Sequence, residues 1–193
     1  MEKRQTRRTM AQTMHELRTQ GEGDAKRIEG YFAVFDGVYQ LWPGATESVD
    51  PHAFDGALDD DVRCLIDHDS RLVLGRNKAG TLRMQVDDHG LWFSVDINPD
   101  DTDAMNLYAR VQRGDVSGCS FGFDILDEET ENRADGSVHW TIKRVKLYEG
   151  SICTFPAYQD TQAEARREDL KHIRRRQVEE WKNKMKERMN RWH

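Results

Sequence analysis

Alternation is the first signal along the chain. Leu82, Met84 and Val86 recur at every second position over residues 81–86, and Leu91, Phe93, Val95 and Ile97 do so over 91–97. Between them stands Asp87-Asp88-His89-Gly90, a turn sequence, so the two runs predict a β-hairpin. Residues 27–35, 62–66, 73–75, 116–125, 138–148 and 152–155 read as further strands, rich in β-branched and aromatic side chains or in short apolar runs.

Helical spacing is rarer. Met105, Tyr108 and Val111 recur at intervals of three, after a cap-rich stretch at 98–103 and before Gly114, which predicts a helix over 104–113. Asp50 as N-cap, Pro51 in the first turn and the Phe54/Leu58 pair predict another over 51–58. Residues 127–136 read as an acidic loop. Residues 1–27 read as a polar extension with a weak helical period around 10–17. At the other end, Leu170, Ile173, Val178, Trp181, Met185, Met189 and Trp192 form a stripe with Lys and Arg around it and no Gly or Pro within it. That is an amphipathic helix, suited to packing on the body or on a partner helix, or to lying on a polyanion or membrane surface.

Many short strands with a few helices predict an α+β fold, mainly β: a small closed β-barrel surrounded by helices, with helical terminal extensions. The expected organisation is an extension at 1–27, a body at 28–162 and a basic amphipathic helix at 163–193. The strands are too polar for a doubly wound parallel sheet.

Charge sharpens this division. The net charge of −6 hides an uneven distribution, because eleven Lys and Arg outnumber six acids from Glu164 to His193. The acidic body is a poor match for nucleic acid, and no apolar run approaches the ~20 residues that span a bilayer. No specific nucleic-acid partner and no membrane are therefore expected. Cys64, Cys119 and Cys153 show no paired spacing, which fits a reducing compartment and buried thiols. No cofactor motif is present, and no metal site is expected: Cys64 and His68 lie four apart, but in strand rather than helix, and no second pair completes a ligand set.

The stretch Val116-Ser117-Gly118-Cys119-Ser120-Phe121-Gly122-Phe123 carries the candidate chemistry. Strand alternation puts Gly118, Ser120 and Gly122 on one face and Cys119, Phe121 and Phe123 on the other. A serine flanked on its own face by glycines either presents a hydroxyl to a substrate backbone or lets another element pack closely. A nucleophilic serine needs a base. Of seven histidines, His68 alone follows an apolar strand directly, within Asp67-His68-Asp69, the kind of strand end where active-site groups are held. An ordinary loop histidine bonded to either aspartate is the alternative. Cys119 is a rival nucleophile, but it points to the other face and lacks an electropositive setting.

These residues form an ordered set: Gly30 to Phe35, Asp50 to Phe54, Asp67-His68-Asp69, Leu74-Gly75-Arg76, Gly80-Thr81-Leu82, Asp88 to Leu91, Arg113 to Phe123 and Thr154 to Tyr158. Over roughly 27–160 the chain resembles the capsid-maturation (prohead) serine proteases of tailed bacteriophages. The resemblance implies a herpesvirus-protease-like β-barrel, His68 as base and Ser120 as nucleophile. The herpesvirus enzymes use a second histidine on a later strand. The late strand here offers Glu149 instead, with Asp69 and Asp115 as rivals for that role. For the oxyanion, Arg76 and backbone amides near Ser120 are candidates. The implied function is a serine endopeptidase that cleaves the scaffold segment of the major capsid protein and itself, in the host cytoplasm inside the assembling prohead. The implied partners are the major capsid protein, its scaffold segment and further copies of this chain, a dimer among the options. The alternatives are a catalytically inactive structural or scaffold protein of the head and an unrelated β-barrel binding module.

Overall fold

The computed structural model describes residues 8–13, 17–22, 25–35, 37–155, 166–167, 170–171, 175 and 178–187. The chain forms two units, Met1–Tyr158 and Gln159–His193. The first is mainly β. Its strands are β1 (Arg8–Thr13), β2 (Arg18–Glu22), β3 (Ala25–Val34), β4 (Tyr39–Trp42), β5 (Ala45–Val49), β6 (Arg63–Ile66), β7 (Asp69–Arg76), β8 (Leu82–Val86), β9 (Gly90–Ile97), β10 (Gly118–Asn132) and β11 (Val138–Cys153). One helix, α1 (Thr102–Arg113), connects β9 to β10.

Pairing yields two sheets. Strands β2-β3-β9-β8 make an antiparallel four-stranded sheet. The other has seven strands, ordered β1-β10-β11-β5-β4, with β6 and β7 attached through β11. The long β11 pairs in parallel with β5 through residues 138–142 and with β6 through 149–152. No pairing among the described residues joins the two sheets into a closed barrel.

The alternating faces predict the core well. Leu91, Phe93, Val95 and Ile97 of β9 are buried and meet Ile28, Phe32 and Ala33 of β3. The Phe32 and Phe93 rings stack with centroids 3.8 Å apart. Phe121, Phe123 and Ile152 of the larger sheet belong to the same cluster, and the Phe32 ring lies directly over the bare Cα of Gly150. Helix α1 adds Ala104, Leu107, Tyr108 and Val111. Its ends match the sequence: the Asp101 carboxylate accepts from the amides of Asp103 and Ala104, and Gly114 closes the helix in the left-handed region.

Four expectations differ from the structure. Residues 51–56 are turns followed by a short 3-10 segment, Ala57–Asp59, because Gly56 adopts φ 77° and breaks the helical run. The acidic stretch 127–132 is not loop but strand, because its backbone pairs with residues 138–144 of β11. The two late strands are one, the sixteen residues of β11. Residues 10–13, expected near a helical turn, lie in β1, where pairing with β10 overrides weak local periodicity. The hairpin of β4 and β5 had no signal in the alternation.

In the second unit the described residues between 166 and 187 are helical, and Val178, Trp181 and Met185 of the apolar stripe are exposed. Ile173, Met189 and Trp192 lie outside the described residues.

Candidate active site

The site is built where β6 turns into β7. Ile66 pairs with Asp69, leaving Asp67 and His68 as the two residues of a tight turn. Both have positive φ, 48° and 61°. Two consecutive positive values are what a type I′ hairpin turn demands, and aspartate and histidine tolerate them better than most side chains. The strain, of order 1 kcal/mol or more per residue, is held by partners. The Asp67 amide donates to the Ile152 carbonyl at 3.1 Å, and its carboxylate accepts from the Thr154 amide at 2.8 Å. The His68 amide donates to Ser151 Oγ at 3.2 Å.

This turn places the imidazole against β11. His68 Nδ1 lies 2.8 Å from Glu149 Oε1. A carboxylate only accepts, so Nδ1 carries the proton and Nε2 of the neutral ring is left as an acceptor. Ser151 Oγ donates to the other oxygen, Glu149 Oε2, at 2.6 Å. One hydroxyl thus fixes both the carboxylate and the backbone of the histidine. Glu149 is 2 % exposed, while the His68 side chain keeps 25 % of its surface.

Ser120 shares this face. Strands β10 and β11 pair in unbroken register from Gly118↔Cys153 to Gly122↔Glu149, with Ser120 opposite Ser151. Directly opposed residues of an antiparallel pair point the same way, so Ser120, Ser151, Gly122 and Glu149 line one side of the sheet. Gly122 has a specific task there: the Glu149 carboxylate occupies the space a Cβ would take. Ser120 is fully buried, and His68 Nε2, also buried, makes no hydrogen bond among the described residues. The serine and the imidazole therefore lie on one face without a hydrogen bond between them.

The description of the caudovirus prohead serine protease family matches residues 13–176, most of the chain. The chain belongs to this family. It is 27 % identical to the prohead protease of Enterobacteria phage HK97 over 146 residues, which is 74 % of this chain and 60 % of that protein. The chain thus spans about 60 % of the length of that curated relative. Among solved structures it is similar to the bacteriophage T4 capsid assembly protease, with a TM-score of 0.43 and 12 % identity, covering 75 % of this chain and 98 % of that one.

The rival residues have other partners. Asp69 is engaged by Arg71, whose guanidinium holds its pKa down at about 2, and Asp115 by Arg113. Neither bonds to His68. Arg76 makes two bonds to Asp61, at 2.6 and 2.7 Å, at the far end of β7 from the His68 turn. Cys119 faces the core beside Phe121; burial pushes its thiol pKa well up, and that of Cys64 likewise. Such thiols stay protonated and inert. Among the described residues no group of three or more His, Cys, Asp or Glu is placed to hold a metal.

An open cleft of about 530 Å³ adjoins the site, lined by Asn106, Ala109, Arg110 and Arg113 of α1 and by Asp115, Val116 and Thr154. Thr154 is the residue that clamps Asp67. Ser151 was missed in the sequence. Its one signal is its place two residues after Glu149, on the same face of a strand.

Proposed function

We propose that this chain is a serine endopeptidase of phage head maturation, with Ser120 as nucleophile, His68 as general base and Glu149 as the acid behind the imidazole. The observation that carries this reading is the Glu149–His68 pair at 2.8 Å, with an unpartnered Nε2 on the face that bears Ser120. In the reaction His68 Nε2 takes the Ser120 proton as Oγ attacks the substrate carbonyl. Glu149 stabilises the imidazolium and keeps the ring in the tautomer that accepts at Nε2. The proton passes to the leaving amine, an acyl-serine forms, and water activated by His68 releases the acid. Backbone amides near Ser120 are the candidates for the oxyanion, since Arg76 is held by Asp61.

The description of the family, caudovirus prohead serine protease, and the name of the HK97 relative, a prohead protease, support substrates within the immature shell. The major capsid protein's scaffold segment and the chain's own termini are the proposed substrates, cleaved inside the prohead in the host cell. The exposed Val178, Trp181 and Met185 on the basic tail helix suit docking onto scaffold helices. The barrel of the herpesvirus enzymes remains the proposed parent fold, with self-association into a dimer or larger ring.

The test is co-expression with the capsid protein. Ser120→Ala and His68→Ala should each cut processing of capsid protein and protease by about 10⁶-fold, and Glu149→Gln by about 10⁴-fold. Processing at the wild-type rate in a folded Ser120→Ala chain would return the protein to the alternative of an inactive head component.

A further inference from the structure

The strand that bears Ser120 has β11 on one side and, on the other, the chain's own N-terminal segment. β1 runs antiparallel to β10, with Arg8 opposite Phe123, Ala11 opposite Ser120 and Thr13 opposite Gly118. It is the last strand in its sheet, and among the described residues it pairs with β10 alone. Without it, β10 would present a row of unpaired amides and carbonyls from Gly118 to Phe123, the edge to which an extended peptide adds as a strand. The edge also leads to an opening: the end of β10 near Gly118 follows Val116, which lines the cleft beside Thr154. The family match begins at Thr13, so residues 8–12 precede it.

We propose that the edge of β10 is the docking strand for extended peptide substrates, and that residues 8–13 occupy it as a tethered competitor. This rests on the reading of Ser120 as the nucleophile. The register supplies the reason. The peptide groups flanking Ala11 lie beside Ser120, and a substrate strand in the same register would present its scissile carbonyl there. A tethered segment holds the edge at an effective concentration in the millimolar range, so a free peptide must displace it before it can be cut. The buried state of Ser120 accords with an occupied edge. Peeling β1 away, or losing it by processing, then turns a covered nucleophile into an accessible one, and the first segment of the chain sets when the enzyme starts to work.

The test reads access to Ser120 directly, as the rate at which a fluorophosphonate probe modifies it, followed by mass spectrometry. Three chains are compared: the full chain, a chain lacking residues 1–13, and the full chain with Met10→Pro and Ala11→Pro. Alternate residues of β1 point their amides at β10, so one of two adjacent prolines must remove a ladder bond. Both altered chains should react about tenfold faster than the full chain. A synthetic peptide of residues 6–16 at millimolar concentration should slow the truncated chain again, and the same peptide with the two prolines should not. Equal rates in all three folded chains would overturn the inference, as would collapse of the fold in both altered chains, which would make β1 a structural strand. Failure of the probe to modify Ser120 in any chain, with Ser120→Ala as the blank, would instead strike at the nucleophile itself.

Discussion

The carboxylate of Glu149 rests on the bare Cα of Gly122, its partner across β10 and β11, and from there reaches His68. A side chain at 122 and a carboxylate at this position exclude each other. Gly122→Ala should therefore leave the strand intact, at a packing cost of about 1–3 kcal/mol, yet lower turnover about 10²-fold by pushing Glu149 off the imidazole. Circular dichroism and peptide cleavage on the same preparation separate the two effects. Wild-type turnover would show that the contact has no catalytic consequence.

Ser151 holds two atoms of the site at once, Glu149 Oε2 and the His68 amide. Ser151→Ala leaves both without their partner in a buried setting, at about 1–3 kcal/mol. The expected result is a kcat lowered about tenfold with KM little changed, and recovery in Ser151→Thr, which restores the hydroxyl. A loss confined to thermal stability would make Ser151 structural only.

The three cysteines are buried, and burial raises the pKa of each thiol. Iodoacetamide at pH 8 should leave the native protein unmodified and fully active, while the unfolded chain takes up three equivalents. Inactivation of the native enzyme at a rate matching alkylation of Cys119 would reopen the thiol as nucleophile.

His139 bridges the sheet away from the site, its ring nitrogens 2.8 Å from Thr46 Oγ1 and 2.9 Å from Ser48 Oγ. Burial, then the charge of Arg133, holds its pKa below the usual 6.5. The unfolded chain therefore binds this proton first, and the contribution of the neutral ring is present above about pH 6.5 and lost as pH falls towards the folded value. Melting temperature should fall on acidification through this window, and His139→Gln should flatten that part of the curve. An unchanged slope in the variant would assign the pH dependence to other groups.

Much of this protein was legible before its fold. Leu91, Phe93, Val95 and Ile97 fall on one buried face because a strand repeats every two residues, and that period survives any tertiary setting. Asp101 and Gly114 bound α1 because caps act through the local backbone. Gly118, Ser120 and Gly122 share a face for the same reason. Residues 127–132 misled, since charge and polarity say loop while pairing with β11 stabilises a strand that has solvent on one side.

What the sequence determined by itself was the short-range part: the strand faces, the capped helix, the hydroxyl set among glycines and the histidine at a strand end. Tertiary structure alone decided which acid serves that histidine, why Gly122 must lack a side chain, and that Ser151 joins them. Residues 68, 122, 149 and 151 meet only because β6, β10 and β11 lie side by side. Contacts between strands depend on register, and register is set by the summed packing of whole sheets, which no local run of residues encodes.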